Sequence, residues 1–143
     1  MSHILALKLR FLLDTDTCIF ALKHHDEVRK RFNALSPDNL AVSTMNLAEL
    51  RYGSLRSIHP MESWQAVQAF LVPIRMLTFD EASATVHADL RLALRTKPIG
   101  ERDLVIASVA KARQLTLVTH NTREFSRVPG LKIDDWTLPM EPR

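Results

Sequence analysis

The chain has 143 residues, 46% of them hydrophobic, and a formal net charge of +3 at pH 7. That length and apolar content fit one compact domain, 1–143 with its core at about 10–136, and leave little room for a second. No run of about 18 apolar residues occurs, and the start MSHILALKLRFLL is broken by Lys8 and Arg10 and lacks a small-residue cleavage site, so no membrane span or secretory leader is expected and the default location is cytoplasmic.

Residues 8–14 (KLRFLLD) form a short apolar run ending in an acid, which reads as a strand. From about 18 to 35, Ile19, Leu22, Val28, Phe32 and Leu35 recur at helical intervals, so one helix is expected. Within it Cys18, the lone cysteine, reads as a small packed hydrophobe; alone, it forms no internal disulfide and no multi-cysteine zinc site. Residues 40–43 read as a second strand, after which Thr44 can cap a helix bearing Leu47, Leu50, Leu55 and Ile58, with Glu49 in its early turns. Pro60 suits the first position of the next helix, where Trp64, Val67, Phe70 and Leu71 follow the helical period until Pro73. A strand is expected over 74–79 and a helix over 81–96, broken by Pro98-Ile99-Gly100. A helix over 103–113, a strand over 115–120, a loop at NTREF and a last short strand near 131–133 complete the chain.

Strands alternating with helices imply an α/β fold with a mostly parallel sheet and helices on both faces, whose ligands bind at the carboxyl ends of the strands. Asp14, Glu49, Asp103 and Asn121 all fall at or near such ends and can converge there. Singly, each acid has a structural explanation: Asp16 as a helix cap, Glu49 as a surface helix residue, Asp103 as a partner of the helix dipole. Yet Asp103 shares a face with Ile106, Ala107 and Ala110, and a carboxylate on an apolar face needs a partner. Carboxylates brought together repel unless a cation compensates them, and Mg²⁺ or Mn²⁺ is the natural one for an all-oxygen donor set. Such a cation can acidify a water for attack on a phosphodiester and steady the transition-state oxyanions, so no protein nucleophile is required. Basic residues Arg95, Lys97, Arg102, Lys111, Arg113, Arg123, Arg127 and Lys132 crowd the last third, either as a track for a phosphate backbone or as ordinary solvated helix faces.

The ordered segments LLDTDTCI, AELRYGS, PIGERDLVIASVAKA and LTLVTHNTREFSRVPGLKIDDW resemble the PIN-domain ribonucleases, specifically the VapC toxins of bacterial toxin–antitoxin pairs, from about Leu12 to Trp136. The resemblance implies a PIN-like three-layer sandwich and a metal-dependent endoribonuclease, dimeric and held inactive by a cognate VapB-type antitoxin in a hetero-oligomer. It places the catalytic, metal-holding acids on Asp14, Glu49 and Asp103. Where a fourth aspartate is common in the family, Asn121 stands here as a neutral oxygen ligand or outer contact; Asp16 and Glu124 are further contributors. Thr15, Thr119 and Thr122 are candidates to orient water or phosphate, with simple capping as an equally good account, and His120 reads as a strand-end polar residue. The substrate implied is structured RNA, with the anticodon region of initiator tRNA favoured because the NTREFSRVPGL ending is most similar to the enteric VapC group.

Two other readings stay open. Asp14-Thr15-Asp16-Thr17 imitates the start of a haloacid-dehalogenase-like phosphatase, with Asp14 as nucleophile, Asp16 as general acid and Asp134-Asp135 as its late acids. That reading gives Glu49 and Asp103 nothing to do. The other is a non-catalytic RNA- or partner-binding module that keeps the fold.

Overall fold

The structure is a computed structural model that describes residues 8–140; the leader-free reading of residues 1–7 lies outside them. The elements run β1 (Phe11–Leu13), α1 (Thr15–Leu22), α2 (Asp26–Asn33), β2 (Leu40–Ser43), α3 (Thr44–Leu55), α4 (Pro60–Leu71), β3 (Arg75–Leu77), α5 (Glu81–Ala93), α6 (Glu101–Ala112), β4 (Thr116–Val118), α7 (Thr122–Phe125) and β5 (Ile133–Asp134). The strands form one sheet in the order β3-β2-β1-β4-β5, and every neighbouring pair is parallel. The fold is the expected α/β sandwich, and no helix among the described residues is long and apolar enough to cross a membrane.

Two apolar clusters flank the sheet because successive strand residues point to opposite faces. Leu13, Leu40, Val42 and Val118 pack with Cys18, Val28, Leu50, Val67 and Trp136, covering one face with α1–α4. Leu12, Ala41, Leu77 and Leu117 pack with Leu90 of α5, Ile106 and Ala107 of α6, and Phe125 on the other. The three central strands are thus apolar on both sides, as parallel strands between two helical layers must be.

Several expected boundaries differ. The single helix over 18–35 is two helices, because His24 takes a left-handed φ of 60° and the His25 ring accepts from the Val28 amide at 3.4 Å, starting α2. Ser43, not Thr44, caps α3, and that helix stops at Leu55, short of Ile58. Asp14, not Asp16, caps α1, its carboxylate accepting from the Thr15 amide at 2.9 Å. The strand expected over 74–79 shortens to Arg75–Leu77, the helix over 81–96 ends at Ala93, and α6 begins at Glu101, two residues before Asp103. The supposed loop NTREF is the short helix α7, and the last strand lies at Ile133–Asp134.

Candidate active site

The register of β1 against β4 sets the centre of the site. Leu13 lies opposite Val118, so the next residues of the two strands, Asp14 and Thr119, emerge side by side at the carboxyl edge. The Asp14 amide continues the ladder to Val118 O at 2.8 Å, and the Thr119 hydroxyl donates to Asp14 Oδ2 at 2.7 Å. Asp14 is buried, at 6% exposure. Asp16 follows in the first turn of α1, where Oδ2 accepts from the His120 amide at 3.1 Å. Thr119 Oγ1 also accepts from the Asn121 amide at 3.0 Å, which ties that segment to Asp14.

Glu49 is aimed by a chain of hydrogen bonds whose directions donor counting fixes. Asn46, fully buried, spends Oδ1 on the Ser43 amide at 2.9 Å and hydroxyl at 2.7 Å. Its Nδ2 therefore donates to Thr15 Oγ1 at 3.0 Å. An oxygen that accepts there directs its own hydrogen elsewhere, and Thr15 donates to Glu49 Oε1 at 2.6 Å. The other carboxylate oxygen, Oε2, meets the exposed Arg102 Nε at 3.5 Å. Sequence reasoning passed over Asn46; its signal is the Ser-x-x-Asn spacing of a helix cap. Arg102 sat only in the list of basic residues, although adjacency to Asp103 marks it as part of the site.

Asp103 stands in the first turn of α6. Burial first, then the charges of Glu124 and Glu49, push its pKa up to about 6, against the opposing pull of Arg102. Burial, and next the charge of Asp16, push Asp14 up to about 7, against its bonds to Thr119 and Thr15 and with Asp103 adding to the rise. Asp16 is raised as well, by burial above all. Glu124 is held beside this group, accepting from the Gly100 amide at 3.1 Å and from Asn121 Nδ2 at 3.4 Å. Asp14, Asp16, Glu49, Asp103, Glu124 and Asn121 therefore meet at one edge of the sheet with Thr15 and Thr119, while Thr122 opens α7 next to them.

Other sequence candidates point elsewhere. Asp134 accepts from Arg31 at 3.5 Å and from the Trp136 indole at 3.2 Å. Asp135 meets the His120 ring at 3.1 Å and the Thr137 hydroxyl at 2.7 Å. Arg113 leaves the proposed phosphate track altogether, donating to Thr78 O at 3.0 Å, Asp80 Oδ2 at 3.1 Å and Ser83 Oγ at 3.1 Å. Lys111 is drawn to Pro129 O at 2.8 Å. A cavity at the opposite, amino end of the sheet is lined by Lys8, Leu9, Arg10, Phe11, Gln114 and Thr116 and contains no acid.

The donor set fits a hard divalent cation in chemistry: carboxylates raised by burial and by one another are relieved by positive charge. Among the described residues, no three His, Cys, Asp or Glu side chains close into a compact metal cage. Asp14, Asp103 and Glu49 are the residues that could hold the cation, with Asn121, Asp16 and Glu124 around them.

The family profile described as "PIN domain" matches residues 11–131. The chain is 40% identical over 131 residues to the "tRNA(fMet)-specific endonuclease VapC" of Salmonella typhimurium, covering 90% of this chain and 98% of that one. It is 41% identical over 132 residues to the protein of the same name from Shigella flexneri, covering 90% and 99%. Among solved structures, DNA-bound VapBC from Salmonella typhimurium superposes with a TM-score of 0.84 at 38% identity, covering 90% of this chain and 98% of that one.

Proposed function

The chain belongs to the PIN domain family of VapC ribonucleases, and on that premise we propose that it is a Mg²⁺- or Mn²⁺-dependent endoribonuclease toxin that cleaves initiator tRNA in its anticodon region. A VapB-type antitoxin holds it inactive in a hetero-oligomer built on a toxin dimer, and its substrate places its action in the cytoplasm. The observation that carries this reading is the convergence of Asp14, Glu49 and Asp103 at the carboxyl edge, with the Asp14 pKa raised to about 7 by burial and then the charge of Asp16, and that of Asp103 to about 6 by burial and then the charges of Glu124 and Glu49. The tRNA(fMet) specificity in the names of two relatives at 40% and 41% identity supports the substrate. The VapBC neighbour supports the partner. Family membership replaces the phosphotransferase reading of Asp14 and Asp16.

When bound, a divalent cation supplies Lewis-acid charge, acidifying a water and offsetting the negative charge that builds on the phosphodiester oxygens. The protein's own residues do the rest. Thr119 and the Thr15 amide fix Asp14; Asn46, through the Thr15 hydroxyl, fixes Glu49. Asp103 faces both from α6, and Arg102 lies against Glu49. Burial of Asp14 keeps water off the carboxylate and raises the gain from any cation that reaches it.

Brief induction of the chain alone in bacterial cells, followed by sequencing of the new RNA ends, tests the proposal. Growth arrest with ends in the initiator tRNA anticodon region, reversed by co-expression of a VapB-type antitoxin, is the expected result. A harmless chain whose purified form cleaves no RNA with Mg²⁺ or Mn²⁺ would leave the non-catalytic binding module in its place.

A further inference from the structure

The helix that carries Glu49 also carries the chain's only tyrosine, Tyr52, three residues on and so on the same side. Tyr52 is 60% exposed, and the Arg56 guanidinium lies over its ring, 5.0 Å from the centroid. A cavity of about 500 Å³ joins this ring to Glu49, lined by Ile19, Met45, Glu49, Tyr52, Arg56 and Arg102 among others. Gly53 adds no side chain, and nothing lies within 4 Å of where a Cβ would stand. The groove therefore combines an exposed aromatic residue, an aliphatic floor and two guanidinium groups, directly beside a carboxylate of the site.

Each component matches one part of a nucleotide. A base stacks on an aromatic face whatever its identity, a ribose tolerates aliphatic contact, and guanidinium groups take phosphate oxygens in pairs. Arg102 is available for this, because its side chain is largely solvent-exposed in the 3.5 Å pairing with Glu49 and pairs with so exposed a partner are weak. Continuity with Glu49 places the bound nucleotide next to the bond the acids address. Resting on the endoribonuclease reading above, we infer that Tyr52 is the stacking platform for a single-stranded RNA base beside the scissile phosphodiester, with Arg56 and Arg102 meeting the flanking phosphates.

The single tyrosine makes the test direct. Protein labelled with 3-fluorotyrosine carries one ¹⁹F resonance, from Tyr52, which is followed in EDTA while a mixed-sequence heptaribonucleotide or its fully abasic counterpart is added. The resonance shifts with the intact RNA and much less with the abasic one. Tyr52→Ala weakens binding of the intact RNA about tenfold, within the range expected of one lost stack of about 1–3 kcal/mol, and leaves abasic binding unchanged; Tyr52→Phe restores it. In Mg²⁺ the Ala variant raises KM far more than it lowers kcat. An equal shift with abasic RNA, a shift produced only by an antitoxin peptide, or no shift from a protein that cleaves tRNA would overturn the stacking role while leaving the nuclease reading intact. A shift with intact RNA from a protein that cleaves nothing in Mg²⁺ or Mn²⁺ would uphold the stack and sink the nuclease reading. Neither shift nor cleavage would overturn both.

Discussion

Replacing Asp14 by Asn should stabilise the metal-free protein, and by an amount that depends on pH in a defined direction. Asp14 ionises near 7 in the folded chain against 3.8 ordinarily, so the folded state favours its protonated form. Folded stability is therefore greatest below about pH 4, where both states hold the proton, and is lost as pH rises through 7. At about 1.4 kcal/mol per pH unit, the ionised carboxylate costs roughly 2 kcal/mol at pH 5 and roughly 4 kcal/mol at pH 8. Asn does not titrate and can still accept from the Thr15 amide, although the Thr119 hydroxyl, which now donates to Oδ2, must turn. The stability gap between variant and wild type should widen by about 2–3 kcal/mol between pH 5 and pH 8, which is about 5–10 °C in melting temperature for a domain of this size. Melting curves in EDTA at the two pH values measure it directly. Adding Mg²⁺ at pH 8 should then raise the wild type and not the variant, because a ligand that binds only the folded state stabilises it. A gap independent of pH would refute the repulsion argument.

Asn46→Ala leaves the buried Ser43 amide and hydroxyl without their partner and frees Thr15 to point away from Glu49. Stability should fall by about 1–3 kcal/mol, read by thermal melting, and RNA cleavage should fall beyond what unfolding explains. Arg113→Ala removes the bonds that hold Thr78, Asp80 and Ser83 to α6; a loss of about 1–3 kcal/mol with unchanged RNA affinity is expected, and reduced affinity at full stability would return Arg113 to the phosphate track. Asp16→Asn should keep substantial nuclease activity in a rate assay, since Asp16 is an auxiliary held by the His120 amide. Its near-complete inactivation would make Asp16 a primary ligand.

The acids were legible because each lies close to an element boundary that the apolar pattern marks: Asp14 follows FLL, Glu49 lies in the first half of the helix after the LAVS strand, and Asp103 lies in the first turn of an alanine-rich helix. The parallel sheet followed from the alternation of strands and helices. The break between α1 and α2 was not legible, because Ile19, Leu22, Val28, Phe32 and Leu35 keep one period across it while a histidine, not a glycine, takes the left-handed turn at residue 24. Nor was the fate of the basic residues. Arg113 and Lys111 look like any solvated cations in sequence, and only packing against Asp80, 33 residues away, and Pro129, 18 residues away, claims them. The aiming of Glu49 depends in the same way on Thr15, 34 residues distant, and no local pattern encodes that.

The most direct test is the rate at which purified protein cuts initiator tRNA, wild type beside Asp103→Asn, in Mg²⁺ and in EDTA. Removing one of three carboxylates should lower cleavage about a hundredfold or more with the fold intact by circular dichroism, and EDTA should silence the wild type. Cleavage by Asp103→Asn at the wild-type rate, or wild-type cleavage undiminished in EDTA, would contradict a metal-dependent site built on Asp14, Glu49 and Asp103.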